Sequence, residues 1–358
     1  MMKAGVLSKS DLVVLGVGVV AVAAAGTLHY GGAPAVLAFV VAGVAVALLA
    51  SLVGRSVEQL GDRFGPGATG VLQSALGNLP ELFIGFFALQ AGLLEVVQAA
   101  IIGSILSNIL LVLGLAFVVG GLKHGTQRFD SNRARTSTVL MVLATAALVM
   151  PSLAQYVHAP AAPHEKSLSL VVSVVLLGVF LLSLPSALKR SAPSADAPSA
   201  PQHDGPHWPL WLALTMLTGA SVAAALVSDW FVSALEPAIT SLGVSQAFAG
   251  LVIVAIAGNA IENVIGIQLA YRNQADFAMS VIIQSPLQVA LVLAPALVLL
   301  SLFTATTLTL VFAPLLVMAV AIAVLATAFI VFDGESNWLE GVTLIALYAI
   351  IATTFWWG

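Results

Sequence analysis

Gly77-Asn78-Leu79-Pro80-Glu81 and Gly258-Asn259-Ala260-Ile261-Glu262 repeat one pattern, G-N-x-x-E, each inside a long apolar stretch. Laying one copy over the other, at an ungapped offset of 181 residues, brings further positions into register: Gly85 over Gly266, Glu95 over Asp276, Ile101-Ile102 over Ile282-Ile283, Ser104 over Ser285 and Leu106 over Leu287. Chance can match isoleucines in apolar sequence, but hardly two G-N-x-x-E segments at the same depth of two hydrophobic helices. The pattern marks an internal repeat, and its orientation follows from counting the apolar runs around it.

Runs bounded by charge, Gly and Pro clusters give eleven expected spans, at about 11–28, 33–53, 68–92, 96–121, 136–157, 167–188, 208–230, 247–271, 277–302, 305–331 and 338–356. Each supplies the roughly 20 mostly apolar residues needed to cross hydrocarbon. Only 8% of the 358 residues are charged and 60% are hydrophobic, against roughly 25% charged in soluble domains. The expected fold is an all-α polytopic membrane protein. The absence of cysteine excludes disulfides, thiolate metal sites and thiol catalysis. A thin net charge of −4 without a basic patch argues against nucleic acid.

The first span, with Lys3 and Lys9 before it and small residues near Ala23, also fits a signal peptide; a retained helix is expected because no soluble domain follows. With the N-terminus in the cytoplasm, Lys3, Lys9, Arg55, Arg63, Lys123, Arg128, Arg133, Arg135, Lys189, Arg190 and Arg272 all fall on that side, and only Lys166 opposite. Positive residues collect in cytoplasmic loops, so the N-terminus is expected inside, the C-terminus outside, and the protein in the plasma (inner) membrane. The Pro, Ala and Ser-rich stretch 189–208 reads as a flexible cytoplasmic linker; His203, Asp204 and His207 within it read as solvated loop rather than a metal site.

The two G-N-x-x-E copies occupy the third and eighth spans, five apart, and an odd number of crossings reverses direction through the bilayer. The expected organisation is therefore an extra N-terminal helix (1–30), a first five-helix repeat (31–188), the linker, and a second, inverted five-helix repeat (209–358). Secondary transporters use this arrangement to place one site at the midplane between two halves.

Most acidic residues, such as Asp62, Asp130, Asp333 and Glu335, lie at span ends or in loops, whereas Glu81 and Glu262 stand in long uncharged runs. A carboxylate at membrane depth costs on the order of 2.5–3.5 kcal/mol and marks function by default. The repeat brings the two glutamates to one depth, so each is the other's expected partner. Gly77, Gly258 and Pro80 weaken the helix locally and free backbone carbonyls. Asn78 and Asn259, three residues before the glutamates, share their face. Carboxylates, amide oxygens and carbonyls form an all-oxygen set suited to a hard cation such as calcium, without the His or Cys expected for zinc or copper. The same carboxylates should take up protons when the metal leaves. Ser104, Ser107 and Asn108 on the fourth span, with Gln284, Ser285 and Gln288 on the ninth, are candidates either for the ion pathway or for helix packing. Glu95 and Asp276 open those helices, as caps or at an ion entry. A structural glutamate pair without transport is the competing reading.

Gly77 to Glu81, Ala88 to Glu95 and Gly103 to Gly114 resemble the first repeat motif of the calcium/proton exchanger family within the calcium/cation antiporter superfamily. Gly258 to Glu262, Ala270 to Asn273 and Ser285 to Gln288 resemble the second. The resemblance covers about residues 35–125 and 210–356. It implies a secondary antiporter that binds calcium between Glu81 and Glu262, exchanges it for protons by alternating access and exports it from the cytoplasm, with no cofactor. The chain departs from the family pattern at Pro80, often a small residue or Thr, at Asn263, commonly His, and at Gln284-Ser285-Pro286, often Gly-Ser-Ser. These departures leave sodium or potassium/proton exchange as the alternative. An intramembrane enzyme is disfavoured because all six histidines (His29, His124, His158, His164, His203, His207) fall in loops or at span ends.

Overall fold

A computed structural model describes residues 7–64, 72–73, 76–189 and 208–357. Most of the linker, with His203, Asp204 and His207, lies outside them. The helices are α1 (Lys9–Tyr30), α2 (Ala35–Phe64), α3 (Leu79–Gln90), α4 (Leu94–His124), α5 (Ser131–Tyr156), α6 (Glu165–Lys189), α7 (Leu210–Leu242), α8 (Gln246–Gly258), α9 (Ala260–Tyr271), α10 (Ala275–Phe303), α11 (Pro314–Val331) and α12 (Trp338–Thr354). Among the described residues, eight helices are long and apolar enough to cross a membrane. α8 and α9 form an apolar helix pair bent by 64°, while α3 and α12 are shorter apolar helices. Each lies on one of the expected spans, of which the third has residues 68–71 and 74–75 outside the described ones, and the chain is an all-α polytopic membrane protein. Its strands are the two-residue pair Gln127–Arg128 (β1) and Glu335–Ser336 (β2), antiparallel.

The repeat in sequence is also a repeat in local structure. At the offset of 181 residues, α3 coincides end for end with α9, and the start of α4 with that of α10. Gly92 and Asn273, also at that offset, both take left-handed backbone, at φ 78° and 60°. Even an irregularity recurs: a π-type wide turn at Ser107–Val112 in α4 and at Val289–Leu293 in α10.

Two expected boundaries are corrected. α7 continues past 230 to Leu242, with Pro237 inside it and Asp229 and Glu236 exposed. Charge marks where hydrocarbon ends, whereas a helix can continue into water. The tenth span begins at Pro314 rather than 305, because residues 307–313 are not helical. Leu308, Leu310 and Phe312 of this strap are buried. Side chains replace its missing helical hydrogen bonds. Gln98 Nε2 donates to Thr309 O (3.2 Å) and Val311 O (2.8 Å). Ser152 Oγ donates to Leu310 O (3.0 Å) and accepts from Phe312 N (2.9 Å). Ser169 Oγ accepts from Leu310 N (2.9 Å), and the Tyr156 hydroxyl donates to Phe312 O.

The chain divides into two compact units, Met1–Ile84 with Phe180–Ala238, and Gly85–Val179 with Ile239–Gly358. In the first, a Ser8–Asp11 capping box opens α1, and Asp11 accepts from Arg55 Nη1 (2.7 Å) and Trp208 Nε1 (3.2 Å). Trp208 also donates its N–H to Gln59 Oε1 (2.8 Å), and its carbonyl accepts from Arg63. Its ring is buried with Leu60 and Ala213. Phe39 stacks on Phe231 at 4.6 Å, and His29 on Trp230 at 5.7 Å.

The second unit is built around α4, the most buried of the long spans among the described residues. Its neighbours approach at glycines: a Cβ on Gly103 would stand 2.2 Å from Leu251 O, and one on Gly250 2.3 Å from Val96 O. Gly114 and Gly341 make a similar crossing of α4 with α12. Such contacts replace the hydrophobic drive that lipid removes between helices. Gly103→Ala should therefore lower stability by about 1–3 kcal/mol, read as a lower unfolding midpoint in detergent. Gly54→Ala, where nothing lies within 4 Å of the new carbon, should leave that midpoint unchanged or slightly raised.

Candidate functional site

Both G-N-x-x-E segments build the same local device. Asn78 and Asn259 immediately precede short helices, and each backbone carbonyl accepts the first helical bond, from Leu82 N (2.9 Å) and Asn263 N (3.0 Å). Glu81 and Glu262 then fall in the first turns of α3 and α9, where the exposed N–H groups favour a negative charge. At Gly258-Asn259 the structure thus ends one helix and starts another, rather than opening a continuous one, and the Asn259 carbonyl is used to begin the new helix.

An Asn at this position ordinarily caps its own helix with its side chain; Asn259 does not. Its buried amide reaches other helices of the second unit, to which it also belongs, instead. Nδ2 donates to Ser104 Oγ (2.6 Å) and Ala255 O (2.9 Å), while Oδ1 accepts from Asn108 Nδ2 (3.1 Å) and Ser285 Oγ (3.1 Å). Asn108 Nδ2 also donates to Ser104 O (2.9 Å), and Ser107 Oγ to the same carbonyl (3.2 Å). One amide thereby joins α4 of the first sequence repeat to α9 and α10 of the second. Ser104, Asn108, Asn259 and Ser285 form one connected, buried cluster, and Gln288 is buried one turn beyond Ser285.

Two amide oxygens here, Asn108 Oδ1 and Asn263 Oδ1, are buried without a hydrogen-bond partner. A buried acceptor left unpaired costs about 1–3 kcal/mol, and either oxygen can accept from a donor or coordinate a cation. Glu262, half-buried, lies one turn along α9 from Asn259. Gly258 is buried at the bend. Gly77, buried, and the half-buried Asn78 and Glu81 belong to the other unit.

Glu95 is exposed in the first turn of α4. Asp276 is half-buried in the first turn of α10, and its Oδ1 accepts from Asp130 N (2.5 Å), just before α5. That carboxylate thus bonds the residue before a different helix from its own, beside a small recess lined by Ser137 and Ser280 among others. Sequence reasoning missed Asn263 as a buried oxygen and Thr327, whose hydroxyl donates to Ile109 O (3.2 Å) in the wide turn of α4. The signal for Thr327 was present: it is the sole polar residue in α11.

The described residues hold no group of three or more His, Cys, Asp or Glu able to grip a metal. The cluster's chemistry is that of neutral amide and hydroxyl oxygens, the donor type that hard cations take.

A family model described as sodium/calcium exchanger protein matches residues 34–188 and 211–357. The Ca(2+)/H(+) antiporter of Synechocystis sp. is 35% identical over 344 residues, covering 91% of this chain and 92% of that protein. Ca(2+)/H(+) antiporter ChaA of Bacillus subtilis is 35% identical over 326 residues, covering 90% and 92%. The solved structure of native YfkE superposes with a TM-score of 0.79 at 34% identity over 95% of this chain and 99% of that one. The H+/Ca2+ exchanger CAX, at 17% identity and a TM-score of 0.74 over 97% and 92%, shares the fold. These relatives are transporters rather than enzymes, and they match this chain over nearly its whole length, both repeats included. The chain belongs to the sodium/calcium exchanger protein family.

Proposed function

We propose that this protein is a calcium/proton antiporter that exports calcium from the cytoplasm by alternating access. The observation that carries the reading is the 35% identity, over nine-tenths of the chain, to proteins named as Ca(2+)/H(+) antiporters. The local geometry supports it. Two glutamates at equivalent first-turn positions, Glu81 and Glu262, are the cation ligands and proton carriers. Asn78, Asn259, Ser104, Asn108, Ser285 and Gln288 line the pathway, and Gly77 and Gly258 set the backbone breaks. Residues 31–188 and 209–358 are the two inverted repeats, 1–30 the extra helix and 189–208 a cytoplasmic linker. The N-terminus faces the cytoplasm of the plasma (inner) membrane, and the C-terminus faces outside.

The mechanism follows from charge. With both carboxylates ionised the site attracts a divalent cation; protonating them removes the charge that held it and releases the ion. Protons and calcium thus occupy the site in turn, and the proton gradient drives export.

In everted vesicles energised acid-inside, micromolar calcium should dissipate the pH gradient. Glu81→Gln and Glu262→Gln should each reduce that response to background while leaving protein levels in the membrane unchanged. Calcium chelator should abolish the wild-type response. A response to sodium or potassium alone would keep the site and change the cargo, and silence towards all three cations would end the antiporter reading.

Competition sets the pH dependence. Because protons and calcium share carboxylates, the KM for calcium should rise as the pH on the calcium-loading side falls, with little change in maximal rate. A KM flat from pH 8 to 6 would argue that the proton and the cation use separate groups. Asn259→Ala strands the Ser104, Asn108 and Ser285 partners at once, so it should raise KM at least tenfold and lower the unfolding midpoint.

A further inference from the structure

The wide turn in α4 has an identifiable electrostatic cost. In a regular α-helix the N–H of Leu113 would bond to Ile109 O, four residues back. Here it bonds to Asn108 O, five back, and to Leu110 O. Ile109 O therefore lacks the Leu113 N–H that a regular α-helix would give it, in a buried segment where carbonyl bonding must be met within the protein. Thr327 Oγ1, on the otherwise apolar α11 and itself fully buried, donates to that carbonyl at 3.2 Å.

The residue just before Ile109 is Asn108, whose Nδ2 is held by Asn259 and Ser104 and whose Oδ1 is unpaired. A π-type turn carries one residue more than the α-turn it replaces, so closing it would rotate the side chains on one side of it by about 100° relative to the other. Asn108 stands within that turn. The geometry points to Thr327 as a positioning residue: by donating to Ile109 O in place of the Leu113 N–H, it keeps the turn wide and holds the Asn108 amide oxygen turned into the cation site. This rests on the proposed function, because it assigns Asn108 to the transported ion.

Removing the hydroxyl but keeping the shape separates this role from simple packing. Thr327→Val should raise the KM for the transported cation about tenfold with maximal rate changed less than threefold, and should speed hydrogen exchange in a peptide spanning residues 107–113. Thr327→Ser, which keeps the donor, should restore KM to within twofold of wild type. The measurement uses the full chain reconstituted in proteoliposomes, with calcium or, if the wild type responds only to it, sodium. A Thr327→Val protein with a lower unfolding midpoint but unchanged KM would show a merely structural contact and overturn the inference. So would a Thr327→Ser protein as impaired as Thr327→Val. A wild type that transports no cation would instead overturn the proposed function, and the role of Thr327 at that site with it.

Discussion

Every peptide N–H and C=O that enters hydrocarbon must find its partner within the protein, because no water is there to supply one. Continuous helices meet that demand automatically. This chain interrupts its helices at the G-N-x-x-E breaks, at the wide turns and along the strap 307–313, and specific hydrogen bonds compensate at several of these interruptions. Asn carbonyls start α3 and α9, Thr327 serves the wide turn of α4, and Gln98, Ser152, Ser169 and Tyr156 serve the strap. Polar residues that look scattered along apolar spans are thus distributed by the backbone's irregularities.

The same constraint shapes the candidate site. A helix that restarts inside the membrane offers unpaired N–H groups at its first turn, and a carboxylate placed there is favoured electrostatically. Glu81 and Glu262 occupy that position in α3 and α9. Because Asn259 does not cap α9, its amide is available to join Ser104, Asn108 and Ser285. Close glycine contacts at Gly103 and Gly250 bring the flanking backbones near enough for such short side chains to reach one another. A larger residue at either position would push the helices apart.

Much of this was legible in the sequence. Span number followed from apolar run length, and the repeat from G-N-x-x-E at a fixed offset. Glu81 and Glu262 stood out because an isolated acid in a long apolar run is expensive. Asn259, Ser104, Asn108 and Ser285 were singled out as residue types, although small polar residues on a helix could as well have served packing alone. The end of α7 and the start of α11 were misplaced, since apolar composition reports contact with lipid and protein interior rather than helical hydrogen bonding.

By itself the sequence determined the membrane class, the apolar runs that become helices, the duplicated G-N-x-x-E pattern and the polar residue types set within it, because these depend on run length, charge spacing and periodicity along the chain. Only the tertiary structure decided that Asn259 bonds across to α4 and α10 instead of capping its helix, that residues 307–313 leave the helix, and that Thr327 meets Ile109. Each of those outcomes depends on a hydrogen bond between groups 26 to 218 residues apart in the chain. Such a partner is chosen by packing distance in the folded molecule, which local sequence does not encode.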